Sequence, residues 1–297
     1  MPKCGVLMEL YELKQMQSLP LEAKIQKSKM RIREWYEKWN AQVYVSFSGG
    51  KDSTVLLHLV RSICPEVSAV FCDTGLEYPE IKEFCQRDDN LIYIRPKISF
   101  KQVLQQYGFP VVSKEQAGAI EEIRRGNLSE KRKSQLLDGH NGRRTLSKKW
   151  QYLIDAPFKI SAKCCDVMKK QPMNKFAHNY MLKAMTGEMA DDSMLRQQSY
   201  LANSCNRYTG RHPKSTPIAF WTERNIWDYI EVFNVPYCSV YDTGIKSTGC
   251  IYCMFGCHLE GCPNRFQIMK TTHPKLYEYC MDELGLDFVL CYMRIPH

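Results

Sequence analysis

Residues Ser46-Phe47-Ser48-Gly49-Gly50-Lys51-Asp52-Ser53 come directly after the apolar run Val43-Tyr44-Val45. The apolar run is typical of a buried strand, and the segment Thr54–Arg61 that follows has the apolar spacing of a helix. The start of a helix exposes unpaired backbone N–H groups and a partial positive charge, so it attracts phosphate. The order of strand, polar loop and helix therefore predicts an anion site at this loop.

The side chains of the loop favour a polyphosphate. Gly49 and Gly50 allow the backbone to come close to a ligand without a Cβ clash. Lys51 brings a full positive charge, and the hydroxyls of Ser48 and Ser53 can donate hydrogen bonds. The spacing is too short for the G-x-x-x-x-G-K-[ST] loop. The alternative is an ordinary strand-to-helix turn that carries an incidental lysine.

The surrounding sequence alternates between strand and helix patterns. The predicted strands are Gln42–Phe47, Val67–Cys72, Leu91–Ile94 and Lys183–Thr186, and the predicted helices are Leu21–Trp39, Thr54–Arg61, Glu80–Arg87 and Thr222–Asn234. This alternation predicts an α/β fold of the Rossmann-like kind, with a parallel sheet flanked by helices. Ligands of such sheets bind beyond the carboxyl ends of the strands. We therefore expect Asp73-Thr74-Gly75 to face the same site as Ser48–Ser53.

The sequence predicts three segments: an N-terminal helical segment (residues 1–40), an α/β domain that carries the predicted phosphate site (41–235) and a C-terminal cysteine-rich module (236–297). The net charge of +9 favours an anionic partner. Much of the lysine and arginine lies in 113–150, which we interpret as a basic insertion of the central domain. It is either a surface that contacts nucleic-acid phosphates or simply a solvated face. Its basic pairs and triplets are Arg124-Arg125, Lys131-Arg132-Lys133, Arg143-Arg144 and Lys148-Lys149.

No stretch approaches the roughly 20 apolar residues of a membrane span, and the N-terminal region lacks the apolar core of a signal peptide. We therefore expect a cytoplasmic protein without a membrane partner. The chain has 14 cysteines. Because disulfides are rare in the cytosol, so many cysteines indicate metal binding or sulfur chemistry.

Two cysteine pairs have the spacing of a metal site. Cys164 and Cys165 are adjacent, and Cys250 and Cys253 form a C-x-x-C pair. Four thiolates can hold an iron–sulfur cluster or a tetrahedral zinc ion, although adjacent cysteines are unusual for zinc. The other alternative is reduced core cysteines. Further cysteines that could replace a ligand are Cys205, Cys257 and Cys262.

These motifs resemble known families. The Ser48–Ser53 loop resembles the pyrophosphate loop of the adenine-nucleotide α-hydrolase superfamily, whose members cleave ATP between the α and β phosphates. The stretch Phe71–Glu80 resembles the second motif of the phosphoadenylylsulfate reductase family. Thr186-Gly187, followed by Ser193 and Arg196, resembles the third motif of that family. The two cysteine pairs resemble the 4Fe–4S arrangement of adenylylsulfate reductases.

The resemblance implies roles for individual residues. The catalytic candidates are Lys51, Asp52, Asp73 and Arg196. The nucleotide-binding candidates are Ser46, Ser48, Gly49, Gly50, Lys51, Asp52, Ser53, Asp73, Thr74, Gly187 and Ser193. Mg²⁺ is expected to bridge the phosphates to Asp52 or Asp73. The ligands of a 4Fe–4S cluster, or alternatively of zinc, are Cys164, Cys165, Cys250 and Cys253.

The sequence departs from the reductase pattern in three respects. Reductases usually lack the lysine that stands here as Lys51, and they carry a nucleophilic cysteine in a C-terminal Glu-Cys-Gly-Leu-His motif. This chain has Asp282-Glu283-Leu284-Gly285-Leu286 instead, and the neighbours of Cys291 do not match. Met189 and Ala190 also stand where reductases have arginine. This chain combines a pyrophosphate loop that keeps its lysine with reductase-like cluster cysteines. That combination resembles the ATP-pyrophosphatase branch of DNA phosphorothioation and the cluster-dependent tRNA thiolation enzymes.

The resemblance therefore implies an adenylating sulfur-transfer enzyme that acts on nucleic acid. Its expected partners are an adenine nucleotide, DNA or tRNA, a sulfur donor such as a cysteine desulfurase, and a second copy of the chain. One alternative is a reductase of a sulfonucleotide (PAPS or APS), which releases sulfite. The other is a non-catalytic nucleotide- or redox-sensing module of a phage or defence system.

Overall fold

The computed structural model describes residues 8–88, 90–139 and 145–297. Contacts divide the chain into two compact units. The first unit comprises Met1–Asp73, Tyr78–Ile94 and Met173–Thr248, and the second comprises Thr74–Glu77, Arg95–Pro172 and Gly249–His297, as far as these ranges are described. The three-segment division at residues 40 and 235 stays a prediction.

The first unit holds every strand of the described residues. Its strands are β1 (Val43–Phe47), β2 (Ala69–Cys72), β3 (Leu91–Ile94), β4 (Lys183–Thr186), β5 (Asn206–Arg207) and β6 (Lys214–Ser215). They form one sheet in the order β3-β2-β1-β4-β6-β5. All neighbouring strands are parallel except β5 and β6. The predicted parallel sheet flanked by helices is confirmed.

The helices of the first unit are α1 (Leu10–Ser18), α2 (Leu21–Lys38), α3 (Lys51–Arg61), α4 (Pro79–Cys85), α9 (Met194–Asn203), α10 (Glu223–Phe233) and most of α8 (Gln171–Asn179). Tyr44 of β1 packs edge-on against Phe176 of α8, with ring centroids 5.6 Å apart. Trp221 is fully buried and donates a 3.0 Å hydrogen bond to Ser28 of α2. The first contact attaches α8 to β1, and the second attaches α2 to the segment that precedes α10.

The second unit contains helices α5 (Phe100–Tyr107), α6 (Lys114–Arg124), α7 (Glu130–Leu137), α11 (Arg265–Thr272), α12 (Pro274–Glu278) and α13 (Leu286–Tyr292). It also contains a 3₁₀ segment, Lys148–Asp155. Isolated bridges join Phe109 to Ile160 and Val112 to Phe255. Residues of the predicted basic insertion are therefore packed with the C-terminal residues in one unit.

The sequence prediction located the long elements to within a few residues. Strands β3 and β4 have the predicted bounds, whereas α3 begins at Lys51, three residues before the prediction. The N-terminal segment contains two helices rather than one, because Leu19 and Pro20 interrupt it with extended backbone. Among the described residues, no helix is both long enough and apolar enough to span a membrane.

Candidate functional site

The loop between β1 and α3 requires glycine at its bend. Gly49 has φ of +72°, a left-handed conformation that L side chains rarely adopt. A Cβ on Gly49 would also lie 2.8 Å from Cγ2 of Ile81 and 3.0 Å from Sγ of Cys85, both on α4. The loop is thus fixed by backbone conformation and by close packing together.

Two hydroxyls fix the shape of the loop from within. The Ser53 Oγ accepts a hydrogen bond from the backbone N–H of Ser48 at 3.1 Å and donates one to the carbonyl of Gly50 at 2.9 Å. The two serine oxygens lie 3.0 Å apart. Such a network holds the N–H groups at the start of α3 in one arrangement.

Lys51 is a buried cation with two carboxylate neighbours. Its residue is only 6% exposed, and its Nζ lies 3.3 Å from Oε1 of Glu223 and 3.6 Å from Oδ1 of Asp52. Burial acts to lower the pKa of Lys51, but the charges of Asp52, Tyr241 and Glu223 outweigh it and the pKa is raised. Lys51 therefore carries a proton at neutral pH.

At the same end of the sheet, two buried oxygens form no hydrogen bond with any residue that the structure describes. They are Oδ1 of Asp52 and Oγ1 of Thr186, at the end of β4. Burial raises the pKa of Asp52, against the lowering effect of Lys51. Gly187 packs on the start of α3, where a Cβ would lie 2.9 Å from the carbonyl of Asp52 and the nitrogen of Ser53. Both oxygens are of the kind that a hard cation such as Mg²⁺ prefers, although Oδ1 of Asp52 also lies 3.6 Å from Nζ of Lys51.

Tyr241 contacts the loop from the chain-distant segment 239–248. Its hydroxyl accepts a 2.9 Å hydrogen bond from the backbone N–H of Lys51 and lies 3.1 Å from Oγ1 of Thr248. The Nζ of Lys51 lies 5.4 Å from the centre of its ring. One oxygen acceptor thus already engages an N–H group at the start of α3.

The remaining candidates of the first unit lie around the same strand ends. Ser46 is paired in register with Val70 of β2 and Thr186 of β4. Asp73 follows β2, and its carboxylate lies 3.4 Å from Nζ of Lys82. These positions agree with a site beyond the carboxyl ends of the strands.

Ser193 and Arg196 lie at the start of α9. The Ser193 side chain accepts a 3.3 Å hydrogen bond from the backbone N–H of Arg196, which caps the helix. The Arg196 guanidinium pairs with the carboxylate of Asp192. A phosphate contact by Arg196 would have to compete with this ion pair. Together, the glycine backbone, the buried ammonium of Lys51 and the carboxylate of Asp52 fit a magnesium-bound nucleotide.

The second unit brings the four predicted cysteine ligands around one small pocket. Cys164, Cys165, Cys250 and Cys253 line it together with apolar side chains such as Leu76 and Phe100. Among the described residues, the one group of three ligand atoms within 4.8 Å of each other belongs to Asp287, Cys291 and His297. The four sulfurs are therefore spread more widely than the roughly 3.8 Å that one tetrahedral zinc ion imposes.

The thiols of this pocket differ in acidity. A hydrogen bond from Cys164 lowers the pKa of Cys165, and Lys114 and Lys169 act in the same direction. The Cys164 partner has a raised pKa because of that hydrogen bond and burial. Burial raises the pKa of Cys250 to about 11. One thiol of the four is thus predisposed to ionise.

Cations surround the cysteine pocket. Burial acts to lower the pKa of Lys169, but Cys250 and Glu77 outweigh it, so its pKa is raised. Arg265 donates a 3.0 Å hydrogen bond to the carbonyl of Cys253. A metal centre bound by four thiolates would carry negative charge, and these cations would offset it. The set of four thiol donors and the nearby cations therefore fit an iron–sulfur cluster.

The other cysteines considered as ligands do not line this pocket. Cys257 and Cys262 line a different cavity of the second unit. Cys205 is buried in the first unit, where burial raises its pKa to about 12.

Thr74 lies in the second unit, unlike the other nucleotide-binding candidates. Its backbone N–H and its hydroxyl donate to the carboxylate of Glu77, at 3.1 and 2.6 Å. In the structure Thr74 thus closes a short turn with Glu77.

The basic segment 113–150 is only partly available to a ligand. Arg124 donates to the carbonyls of Leu153, Ile154, Ala156 and Phe158, at 2.6 to 2.8 Å. Two further arginines pair with glutamates, Arg125 with Glu121 and Arg132 with Glu122. Arg143 and Arg144 lie outside the described residues. The lysines of the segment that make no ion pair with a described carboxylate are Lys114, Lys131, Lys133, Lys148 and Lys149, and Lys114 lies beside Cys165.

Sequence reasoning missed several residues. Glu223 and Tyr241 reach Lys51 from distant parts of the chain, and no local pattern could reveal them. Lys169 could have been found, because it follows Cys165 by four residues in a helical segment. The Asp287, Cys291 and His297 group was also missed; Nε2 of His297 lies 2.9 Å from Oδ1 of Asp287 and 4.0 Å from Sγ of Cys291.

Comparison with known proteins identifies the class of this chain. Residues 42–127 and 127–255 match the phosphoadenosine phosphosulfate reductase domain, and the chain belongs to this family. It is 28% identical over 210 residues to a phosphoadenosine 5'-phosphosulfate reductase of Xylella fastidiosa, with 70% of each chain covered. Named members of the family are thus enzymes.

Two further similarities are more distant. An uncharacterized protein of Methanocaldococcus jannaschii, MJ0973, is 23% identical over 274 residues. That match covers 87% of this chain and 52% of MJ0973, so the chain spans about half the length of this relative. The U34-tRNA thiolase NcsA of Methanococcus maripaludis, solved with its [4Fe-4S] cluster, aligns with a TM-score of 0.39 and 14% identity, covering 89% of this chain and 80% of NcsA.

Proposed function

We propose that this protein is an ATP-dependent, adenylating sulfur-transfer enzyme that carries an iron–sulfur cluster and acts on a nucleic acid. The observation that carries the proposal is the buried Lys51 at the start of α3, held between Asp52 and Glu223. Burial of a protonated lysine is costly unless its charge is used or paired. A polyphosphate would be a stronger partner than these two carboxylates.

In the first step, an oxygen of the acceptor attacks the α-phosphorus of ATP. The bond between the α-phosphorus and the bridging oxygen breaks, and pyrophosphate leaves with the electron pair. Lys51 and the N–H groups at the start of α3 stabilise the charge that develops on the leaving pyrophosphate. Asp52 and Asp73 are the candidates to hold Mg²⁺, as its carboxylate ligands.

In the second step, a sulfur nucleophile attacks the acceptor carbon or phosphorus, and AMP leaves. Adenylation makes this step feasible, because AMP is a far better leaving group than hydroxide. A cluster bound by Cys164, Cys165, Cys250 and Cys253 would supply or position the sulfur. Lys114 and Lys169 offset the negative charge of the thiolates that hold it.

A second candidate function is reduction of a sulfonucleotide, which the named relative from Xylella fastidiosa favours. Against it stand Lys51, which a preformed sulfonucleotide does not need, and the C-terminal residues Asp282–Leu286. These lack the nucleophilic cysteine at the position expected for reductases.

The proposal is tested by exchange of labelled pyrophosphate into ATP, with protein purified anaerobically and with single-stranded DNA or bulk tRNA as acceptor. We expect the protein without substitutions to catalyse the exchange. The exchange rate should fall at least about a hundredfold in Lys51→Ala. Lys38→Ala, which removes an exposed lysine at the end of α2, is the matched control. Sulfite release from a sulfonucleotide without exchange would favour the reductase instead.

A further inference from the structure

A large cavity of the second unit has no part in the functions proposed so far. We call it the C-terminal cavity. Its volume is about 890 Å³, within the range of small-molecule and cofactor sites. It lies between the 3₁₀ segment Lys148–Asp155, the loop 257–267 and the last residues of the chain, 292–296. The cysteine pocket has a separate lining, so this cavity is a second candidate site.

Aromatic rings line the C-terminal cavity. Trp150 is 6% exposed and its ring is held edge-on by His258, with centroids 5.0 Å apart. Tyr152 is 41% exposed and lies beside Tyr292, with centroids 5.8 Å apart and planes tilted by 32°. A flat ligand can stack on such rings, and every nucleobase has a face that does so.

The charge of the cavity is positive. Lys149 and Arg294 line it, and neither forms an ion pair with any residue that the structure describes. The carboxylate of Glu260 also lines the cavity, but Arg265 engages it at 2.7 Å through Nε. Burial raises the pKa of Tyr152, and the positive charge of Arg294 opposes that rise. The Arg294 guanidinium is therefore close enough to Tyr152 for its charge to act on the hydroxyl. The Lys149 ammonium lies 4.9 Å from the centre of the Trp150 ring. The cavity is thus lined by two cations that have no carboxylate partner within the described part of the chain.

We propose that the C-terminal cavity binds an unstacked nucleotide of a single-stranded nucleic acid, with the base against Tyr152 and Tyr292 and the phosphates beside Lys149 and Arg294. A small inorganic anion would make no use of the rings, and an apolar ligand would gain nothing from the cations. A base within a duplex cannot reach a stacking site without leaving its helix. This proposal rests on the proposed function, because it specifies that the acceptor is a single-stranded nucleic acid.

An exposed thiol in the cavity serves as a reporter. Cys262 lines it, whereas Cys291 is also exposed but is not part of the lining. The protein is alkylated anaerobically with N-ethylmaleimide, with or without a 12-residue oligothymidylate, and each cysteine is quantified by mass spectrometry. We expect the oligonucleotide to slow modification of Cys262 at least fivefold and to leave Cys291 unchanged.

Adjacent lysines provide a matched pair of variants. Lys149 lines the cavity and Lys148 does not, although both are exposed. We expect Lys149→Glu and Tyr152→Ala each to weaken oligothymidylate binding by about tenfold. Lys148→Glu should change it by less than twofold. A duplex of the same length and free AMP should neither protect Cys262 nor compete.

Three results would overturn the proposal. Cys262 could remain unprotected while the oligonucleotide binds, Lys148→Glu and Lys149→Glu could weaken binding equally, or AMP could protect Cys262 as well as the polymer does. Pyrophosphate exchange by the protein without substitutions is measured in parallel. If exchange occurs but Cys262 is not protected, only the cavity proposal is rejected. If Cys262 is protected but no exchange occurs, only the proposed adenylation chemistry is rejected.

Discussion

The backbone N–H of Lys51 donates a 2.9 Å hydrogen bond to the hydroxyl of Tyr241. The first N–H groups of a helix are the groups that bind phosphate at such loops. In this structure a tyrosine oxygen takes the place that a phosphate oxygen would occupy on the proposed mechanism. Nucleotide binding then requires this hydrogen bond to be exchanged.

Tyr241→Phe should therefore tighten nucleotide binding. One hydrogen bond contributes about 1 kcal/mol, so we expect up to about fivefold higher affinity for a non-hydrolysable ATP analogue, measured by calorimetry. Tyr237→Phe is the control, because its hydroxyl contacts Asp242 instead. Weaker binding by Tyr241→Phe would mean that the hydroxyl contacts the nucleotide itself.

Gly187→Ala should disrupt the nucleotide site. Its Cβ would meet backbone atoms of Asp52 and Ser53 at 2.9 Å, and backbone cannot swing aside as a side chain can. We expect a loss of about 1–3 kcal/mol in the free energy of unfolding, measured by urea denaturation, together with weaker ATP binding. Gly118→Ala in α6 has 3.9 Å of room and should stabilise by about 0.5–1 kcal/mol. Equal effects of the two variants would contradict the packing argument.

Lys169→Met tests the electrostatics of the cysteine pocket. Reduction adds a negative charge to the cluster. Without Lys169, less positive charge lies nearby to stabilise that reduced form. We expect a more negative reduction potential in an anaerobic redox titration followed by electron paramagnetic resonance, with iron still bound. Lys170→Met removes the neighbouring exposed lysine and should leave the potential unchanged. A shift of the same size in both variants would show that only net charge matters.

Arg124 should prove structural although it lies in the basic segment. It donates to four carbonyls, and buried carbonyls without donors are costly. Arg124→Ala should lower the free energy of unfolding by about 2–4 kcal/mol. Arg125→Ala loses an exposed ion pair with Glu121 and should cost less than about 1 kcal/mol. If both variants are equally stable in thermal denaturation, Arg124 does not hold the segment together.

The parallel sheet and the loop could be predicted because their signals are local. Apolar strands, alternating helices and the Gly49-Gly50-Lys51 turn are each specified by neighbouring residues. The two-residue strands β5 and β6 could not be predicted, since they are too short for any periodicity.

The candidate site was predictable only where its residues share a motif. The charge partners of Lys51 could not be predicted, because Glu223 and Tyr241 lie far away in sequence. The role of Arg124 was hidden for the same reason, since its carbonyl partners follow it by 29 to 34 residues. A basic run in a sequence does not show which of its cations the fold itself uses.

The bond of ATP that breaks tests the central claim most directly. Protein purified anaerobically is incubated with ATP, Mg²⁺, sodium sulfide as the sulfur donor and single-stranded nucleic acid, and the nucleotides are separated by chromatography. The account predicts AMP and pyrophosphate in equal amounts, with both products absent for Lys51→Ala. Release of ADP and phosphate, or no turnover of ATP alongside reduction of a sulfonucleotide to sulfite, would contradict it.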